Sequence, residues 1–218
     1  MNRRNALKSL TGLSALAFLP KQHLFALQQK KPIHFVGLGK AGSNAMMHIQ
    51  GLEKEAQYSA ITSPGHLKPS QHVKLMPYVP HQLTSYRERL KMELYFPEDL
   101  EPFQLPPETS KLFEADHHYV LLTGLGGYTG THFCDNLIPF LQEKNKAFTA
   151  ICSVPFRFEG KKKMDMAMEV VNRFYAIPQF QYFQNEAMRE KFGNRTMNEV
   201  FSRLDEEFYG EWKSSRRA

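Results

Sequence analysis

Apolar positions along this chain fall into short unbroken runs, separated by stretches in which they recur every three or four residues. The runs at 33–36, 58–62, 119–123, 147–154 and 179–183 read as strands, those at 119–123 and 147–154 as buried ones. Helical spacing marks 43–51, 133–144, 163–173 and 196–208, and a short helix closes at 111–115. Between 64 and 107 prolines punctuate an irregular segment with one expected helix at 83–94. Strands alternating with helices in this order predict an α/β fold: a Rossmann-like parallel sheet with helices on both faces. The chain shows no repeats and no low-complexity segments.

Two of the strand ends carry glycine loops. Tyr119-Val-Leu-Leu-Thr-Gly-Leu-Gly-Gly-Tyr-Thr-Gly-Thr131 runs from an apolar strand through Gly124, Gly126, Gly127 and Gly130 toward a helix. Ile33-His-Phe-Val-Gly-Leu-Gly-Lys-Ala-Gly-Ser-Asn-Ala45 repeats the arrangement with Gly37, Gly39 and Gly42. Such a turn aims several backbone N–H groups at one point on the positive end of a helix, which suits a phosphate chain. The first loop taken alone is a G-x-G-x-x-G dinucleotide signature. That reading needs an acid at the end of the second strand to hold a ribose. Here the strand runs into Thr62-Ser63-Pro64-Gly65, so a dehydrogenase is disfavoured. A tight strand-to-helix turn without a ligand remains the plain alternative for either loop.

Composition changes the picture little. The 218 residues are 42% hydrophobic and 23% charged, which is ordinary for one globular domain. The net charge of +6 is split between Arg3, Arg4 and Lys8, the run Lys161, Lys162 and Lys163, and the tail residues Lys213, Arg216 and Arg217, which argues against a nucleic-acid partner. Cys134 and Cys152 lie outside any metal spacing in apolar surroundings and read as buried free thiols. His117 and His118 read as a strand edge rather than a ligand pair, and no metal site is expected.

The first 30 residues stand apart as a leader. Paired Arg3 and Arg4, a modestly apolar stretch at 9–19 and then Pro20 resemble a twin-arginine export signal. The other reading is a basic, amphipathic helix on the protein or on the inner face of a membrane, which keeps the chain cytoplasmic or associated with the inner membrane. Both stay open. The expected organisation is a leader at 1–30, one domain at 31–210 and a basic tail at 211–218.

A third element follows the fourth strand: Pro155-Phe-Arg-Phe-Glu-Gly-Lys-Lys-Lys-Met164. In this order and spacing, the three motifs resemble the nucleotide-binding (GTPase) domain of FtsZ, the bacterial member of the tubulin superfamily. The resemblance covers about residues 33–208 and is thin between 64 and 110. It implies GTP or GDP as ligand, with magnesium as an optional companion. Gly39, Lys40, Ala41, Gly42, Ser43 and Asn44 would form the first phosphate loop, with Asn44 near the guanine. Gly126, Gly127, Tyr128, Thr129 and Gly130 would wrap the phosphates. Glu159 would accept from the ribose, with Lys163 as a nearby basic residue. Phe201 would stack on the base, and Asp205 and Glu206 fall where the family reads the guanine edge. A carboxylate there can accept from both N1–H and N2–H of guanine, which adenine cannot offer.

The departures from the family pattern are equally specific. Lys40 and Ala41 replace glycines, Tyr128 replaces the third glycine of the signature loop, and His132 replaces its closing glycine. No Gly-Ala-Gly-x-x-Pro loop is recognisable between Val73 and Pro107, and the family's Asn-Thr-Asp reads Ile61-Thr62-Ser63. The sequence stops after the last expected helix, so the family's catalytic loop and second domain are expected to be absent. No catalytic residue is assigned. The implied function is guanine-nucleotide binding with little or no autonomous hydrolysis, by a regulator or cap of an FtsZ-like filament or by a self-associating subunit. The alternative is a degenerate module that binds no nucleotide, with Tyr128 filling the phosphate space, and that is exported if the leader is a working signal.

Overall fold

The apolar runs become strands of one sheet. The computed structural model describes residues 31–68, 70–78, 104–192 and 196–216; the leader, most of the tract at 64–107 that carries the expected 83–94 helix, and the end of the tail lie outside the described residues. In chain order the elements are β1 (Ile33–Leu38), α1 (Gly39–Gln50), β2 (Gln57–Thr62), β3 (Lys74–Pro77), α2 (Pro107–Leu112), β4 (His118–Gly124), α3 (Tyr128–Glu143), β5 (Ala147–Val154), α4 (Lys161–Phe174), β6 (Phe180–Gln184), α5 (Asn185–Phe192) and α6 (Met197–Ser215). A turn of 3-10 helix, Arg157–Glu159, precedes α4. The six strands are ordered β3-β2-β1-β4-β5-β6, and every pair is parallel.

Both faces of the sheet are covered, which is why β4 and β5 are buried almost along their whole length instead of alternating with polar residues. Successive strand residues feed opposite cores. Val36, Tyr119 and Leu121 pack with Phe133, Leu137 and Leu141 of α3 and with Val170 and Phe174 of α4. Phe35, Val120 and Leu122 pack with Ala45, Met46 and Ile49 of α1 and with Leu204, Phe208 and Trp212 of α6. Cys134 and Cys152 are both buried and free, as the apolar surroundings suggest, with their sulfurs 3.7 Å apart.

The structure moves several boundaries. Helices α1 and α3 begin four and five residues before the expected starts at 43 and 133, because each winds directly off its strand and takes the glycine turn into its first turn. The short edge strand β3 has no apolar run to announce it: only four residues pair, on one side, and the last is Pro77. Helix α5 was hidden by its polar sequence, and α6 continues well past 208. Part of the expected basic tail is therefore helix, and Trp212 within it is 2% exposed, edge-on to Phe35 at 5.4 Å and to His118 at 5.6 Å. Trp212→Ala is expected to lower stability by about 3–5 kcal/mol, as for other large buried aromatics, which a urea titration followed by far-ultraviolet circular dichroism will measure.

Candidate functional site

Strands β1 and β4 are neighbours in the sheet, yet the chain leaves them in opposite directions: β2 and β3 continue on one side, β5 and β6 on the other. A reversal of this kind opens a crevice at the carboxyl ends of the two strands, the common binding position of open α/β sheets. Both glycine motifs end there, and they touch. A Cβ on Gly39, whose φ is +67°, would lie 3.0 Å from the Gly130 nitrogen. One on Gly130 would lie 2.4 Å from Thr123 Oγ1 and 3.1 Å from the Leu38 carbonyl. Thr123 Oγ1 ties the turns together by donating to that same Leu38 carbonyl at 3.3 Å. The third motif closes on the second, since a Cβ on Gly126 (φ +85°) would meet Pro155 Cγ at 2.6 Å and the Lys163 carbonyl at 2.9 Å.

Helices α1, α3 and α4 all start at this edge of the sheet, after β1, β4 and β5. None has a side-chain cap and none has an acidic residue in its first turn. By contrast, α6 is closed by a capping box in which Thr196 accepts from the Glu199 N–H and Glu199 accepts from the Thr196 N–H. Uncapped N–H groups and the positive ends of three helix dipoles favour an anion. The Ser43 hydroxyl in α1 and the Thr62 hydroxyl at the end of β2 are both buried without a hydrogen-bond partner, a condition that a polar ligand relieves. A phosphate chain fits this donor set.

The expected site residues divide. Gly39, Lys40, Ala41, Gly42, Ser43 and Asn44 are the first turns of α1, not a free loop. Lys40, Ala41 and Asn44 are exposed and Ser43 is buried, while Asn44 Oδ1 lies 3.1 Å from His66 Nε2. The Gly126 N–H turns inward to Thr131 Oγ1 at 2.9 Å, so it faces away from the hollow. Gly127, Tyr128, Thr129 and Gly130 form the open start of α3, and a Cβ on Gly127 would meet nothing within 4 Å. Tyr128 does not carry the positive φ that would make a side chain costly. Its ring lies 4.3 Å from that of His132, one turn further along the helix, and it is close enough to Tyr78 to help raise that phenol's pKa to about 12, after the larger effect of burial.

Glu159 and Lys163 are brought together, with Lys163 Nζ 3.1 Å from Glu159 Oε2, while Glu159 Oε1 accepts from the Phe156 N–H at 3.0 Å. Phe156 is fully buried, stacked on Phe158 at 5.0 Å and edge-on to Phe201 at 6.0 Å. Phe158 and Phe201 are 59% and 50% exposed, an apolar edge left open to a planar ring. Asp205 sits one turn beyond Phe201, half-buried, and burial pushes its pKa up to about 6. Glu206 does not join it: its side chain is exposed and paired with Arg203.

Sequence reasoning passed over Asn185 and Glu186, which directly follow β6 at the same edge of the sheet. Asn185 Oδ1 is buried without a partner. Glu186 is buried, accepts from the Arg157 N–H at 3.1 Å and pairs with Arg189 at 2.9 Å, so it pins the third motif. The polar Asn-Glu pair after an apolar run was the available signal.

No family model matches the chain. Cell division protein FtsZ of Aquifex aeolicus (strain VF5) is 26% identical over 182 residues, covering 79% of this chain and 47% of that protein. Among solved structures, the empty FtsZ dimer of M. jannaschii superposes with a TM-score of 0.59 at 21% identity, over 86% of this chain and 55% of that one. A protofilament of TubZ from Bacillus thuringiensis serovar israelensis in its GTPγS form superposes with a TM-score of 0.56 at 12% identity, over 84% and 55%. The chain thus spans about half the length of the relatives it matches.

Gly42 supplies the test of how tightly the crevice is built, because a Cβ there would lie 1.8 Å from the Leu122 carbonyl oxygen. Gly42→Ala is expected to lose about 3 kcal/mol or more, the upper range for overpacking. The thermal unfolding midpoint of the variant checks this.

Proposed function

We propose that this relative of the FtsZ/tubulin superfamily binds GTP or GDP across the carboxyl edge of its sheet, with little or no hydrolysis of its own. The observation that carries this reading is the set of three uncapped, acid-free helix starts around one hollow. In it, the N–H groups of Tyr128, Thr129 and Gly130 receive the phosphates, with Lys40 and Lys163 as the nearby cations. Magnesium, where present, would neutralise phosphate charge. The Glu159 carboxylate, already ordered by the Phe156 N–H and Lys163, retains lone pairs for a ribose hydroxyl. Phe201 stacks on the base, and Asp205 accepts from guanine N1–H and N2–H. The protein then serves as a regulator or cap of a filament-forming relative. A blocked pocket is the weaker reading, because the Tyr128 ring is engaged along its own helix with His132.

Nucleotide at a hundredfold excess over its Kd is expected to raise the melting temperature by about 5–10 °C, for GTP and GDP but not ATP. An unchanged melting curve with all three, magnesium included, overturns the proposal. Gly127→Leu separates binding from folding. The Gly127 backbone is extended, with φ −95° and ψ 152°, and the space beside it is open. Stability should change by no more than about 1 kcal/mol, while a fluorescent GTP analogue loses at least roughly tenfold in affinity.

Asp205 gives the pH dependence. Because its pKa is raised from 3.8 to about 6, the folded chain holds a proton there that the unfolded chain releases. The stability of the free protein therefore falls as pH rises through that window. Nucleotide binding runs the other way, since only the ionised carboxylate can accept from guanine N1–H and N2–H together. Affinity should be level above pH 7 and weaken by up to about tenfold per unit below 6. In Asp205→Asn, titrations at several pH values should show weaker binding and no such slope.

A further inference from the structure

At the amino ends of the strands, opposite the glycine turns, lies a half-open cavity of about 1050 Å³. Its walls come from the start of β1 and β2, the end of α1, the turn before β3, and α2. Among the described residues, Lys54, Lys74 and Lys111 line it, as do His34, His72 and His117, and no aspartate or glutamate does. Among the described residues none of the three lysines has a salt-bridge partner. Like charges held around one hollow repel, and they are tolerated best where an anion lies between them.

The interior is polar as well. His34 is 5% exposed, and its Nε2 lies 2.9 Å from Ser59 Oγ. Its Nδ1 is buried with no partner, and so is Nδ1 of His117, whose ring stands edge-on to it at 5.6 Å. Burial, with His117 and Lys74 adding to it, lowers the His34 pKa to about 4, so near neutral pH the ring is an uncharged hydrogen-bonding group and not a fourth cation. A neutral ring carrying its proton on Nδ1 accepts from the Ser59 hydroxyl at Nε2 and leaves the buried Nδ1 N–H unpaired in the cavity wall. Glu53, Glu55, Glu114 and Asp116 flank this end of the sheet in sequence but do not line the cavity.

We propose that this cavity binds a small multivalent anion of the diphosphate or triphosphate class, held by Lys54, Lys74 and Lys111, with the polar but uncharged His34 ring in its wall. The site is separate from the nucleotide crevice and uses none of its residues. Lysine suits the role as a point charge for phosphate oxygens, and several rim lysines match a ligand with several charges better than a single carboxylate.

The experiment is calorimetric titration of the whole chain with inorganic tripolyphosphate. It compares the natural protein with Lys74→Ala/Lys111→Ala, with His34→Asn and with Gly127→Leu, folding being checked in each by circular dichroism. The rim variant is expected to bind about tenfold more weakly, since each exposed lysine contributes a few-fold. Gly127→Leu, altered only in the crevice, is expected to keep this affinity. The ¹⁵N resonance of His34 Nδ1 should shift on titration in the natural protein. Should His34→Asn misfold, that resonance and the rim variant carry the test. The proposal is overturned by unchanged affinity in the rim variant, by loss of binding in Gly127→Leu alone, or by no saturable uptake in the natural protein. The last two outcomes bear differently on the crevice: loss in Gly127→Leu alone places the anion on the glycine turns, whereas absent uptake leaves nucleotide binding to be judged by its own melting shift.

Discussion

Close approach of backbone to backbone, where β1 and β4 run into their helices, underlies everything else in this molecule. The first turn of α1 rests on the Leu122 carbonyl at Gly42, and the start of α3 is wedged among Leu38, Thr123 and Gly124 at Gly130. Neither glycine has a positive φ, so what their missing side chains provide is space. That contact sets two helices side by side with their amino ends at one hollow. Gly126, with Pro155 and Lys163 against it, brings a third helix to the same place. A methyl group at either contact would separate the strand ends from their helices and disperse the donors.

Helix ends in this chain are not treated alike. Helix α6 closes its amino end with Thr196 and Glu199, which shows the ordinary local solution. At the hollow the same need is left unmet three times, and buried hydroxyls at Ser43 and Thr62 and a buried amide oxygen at Asn185 also lack partners. Unsatisfied polar groups cost stability, and these are concentrated at one edge of the sheet. Burial also raises the pKa of the half-buried Asp205 to about 6.

Parallel strands give the sheet two chemically different ends, and both carry positive character by different means. At the carboxyl end it comes from backbone dipoles directed into a crevice. At the amino end it comes from lysine side chains around a cavity with neutral His34 in its wall. The first depends on close backbone contacts at Gly42 and Gly130, where a side chain has no room. The second is made of exposed side chains and can change without disturbing the core.

Sequence alone determined the alternation of strands and helices, the burial of β4 and β5, and the three motifs of the crevice, because apolar runs and glycine spacing are local properties. The family resemblance that those motifs carry also pointed to Glu159, Lys163, Phe201 and Asp205. Tertiary structure decided the rest. Only packing shows that the first loop is already helix, that the Gly126 N–H faces Thr131, and that Glu206 turns to Arg203 while Asp205 is half-buried. The β3 edge strand and the grouping of Lys54, Lys74 and Lys111 with His34 had no local signature, and the Asn185-Glu186 pair gave no sign that both would be buried. Each is created by residues distant in the chain meeting across the sheet, and periodicity carries no record of such meetings.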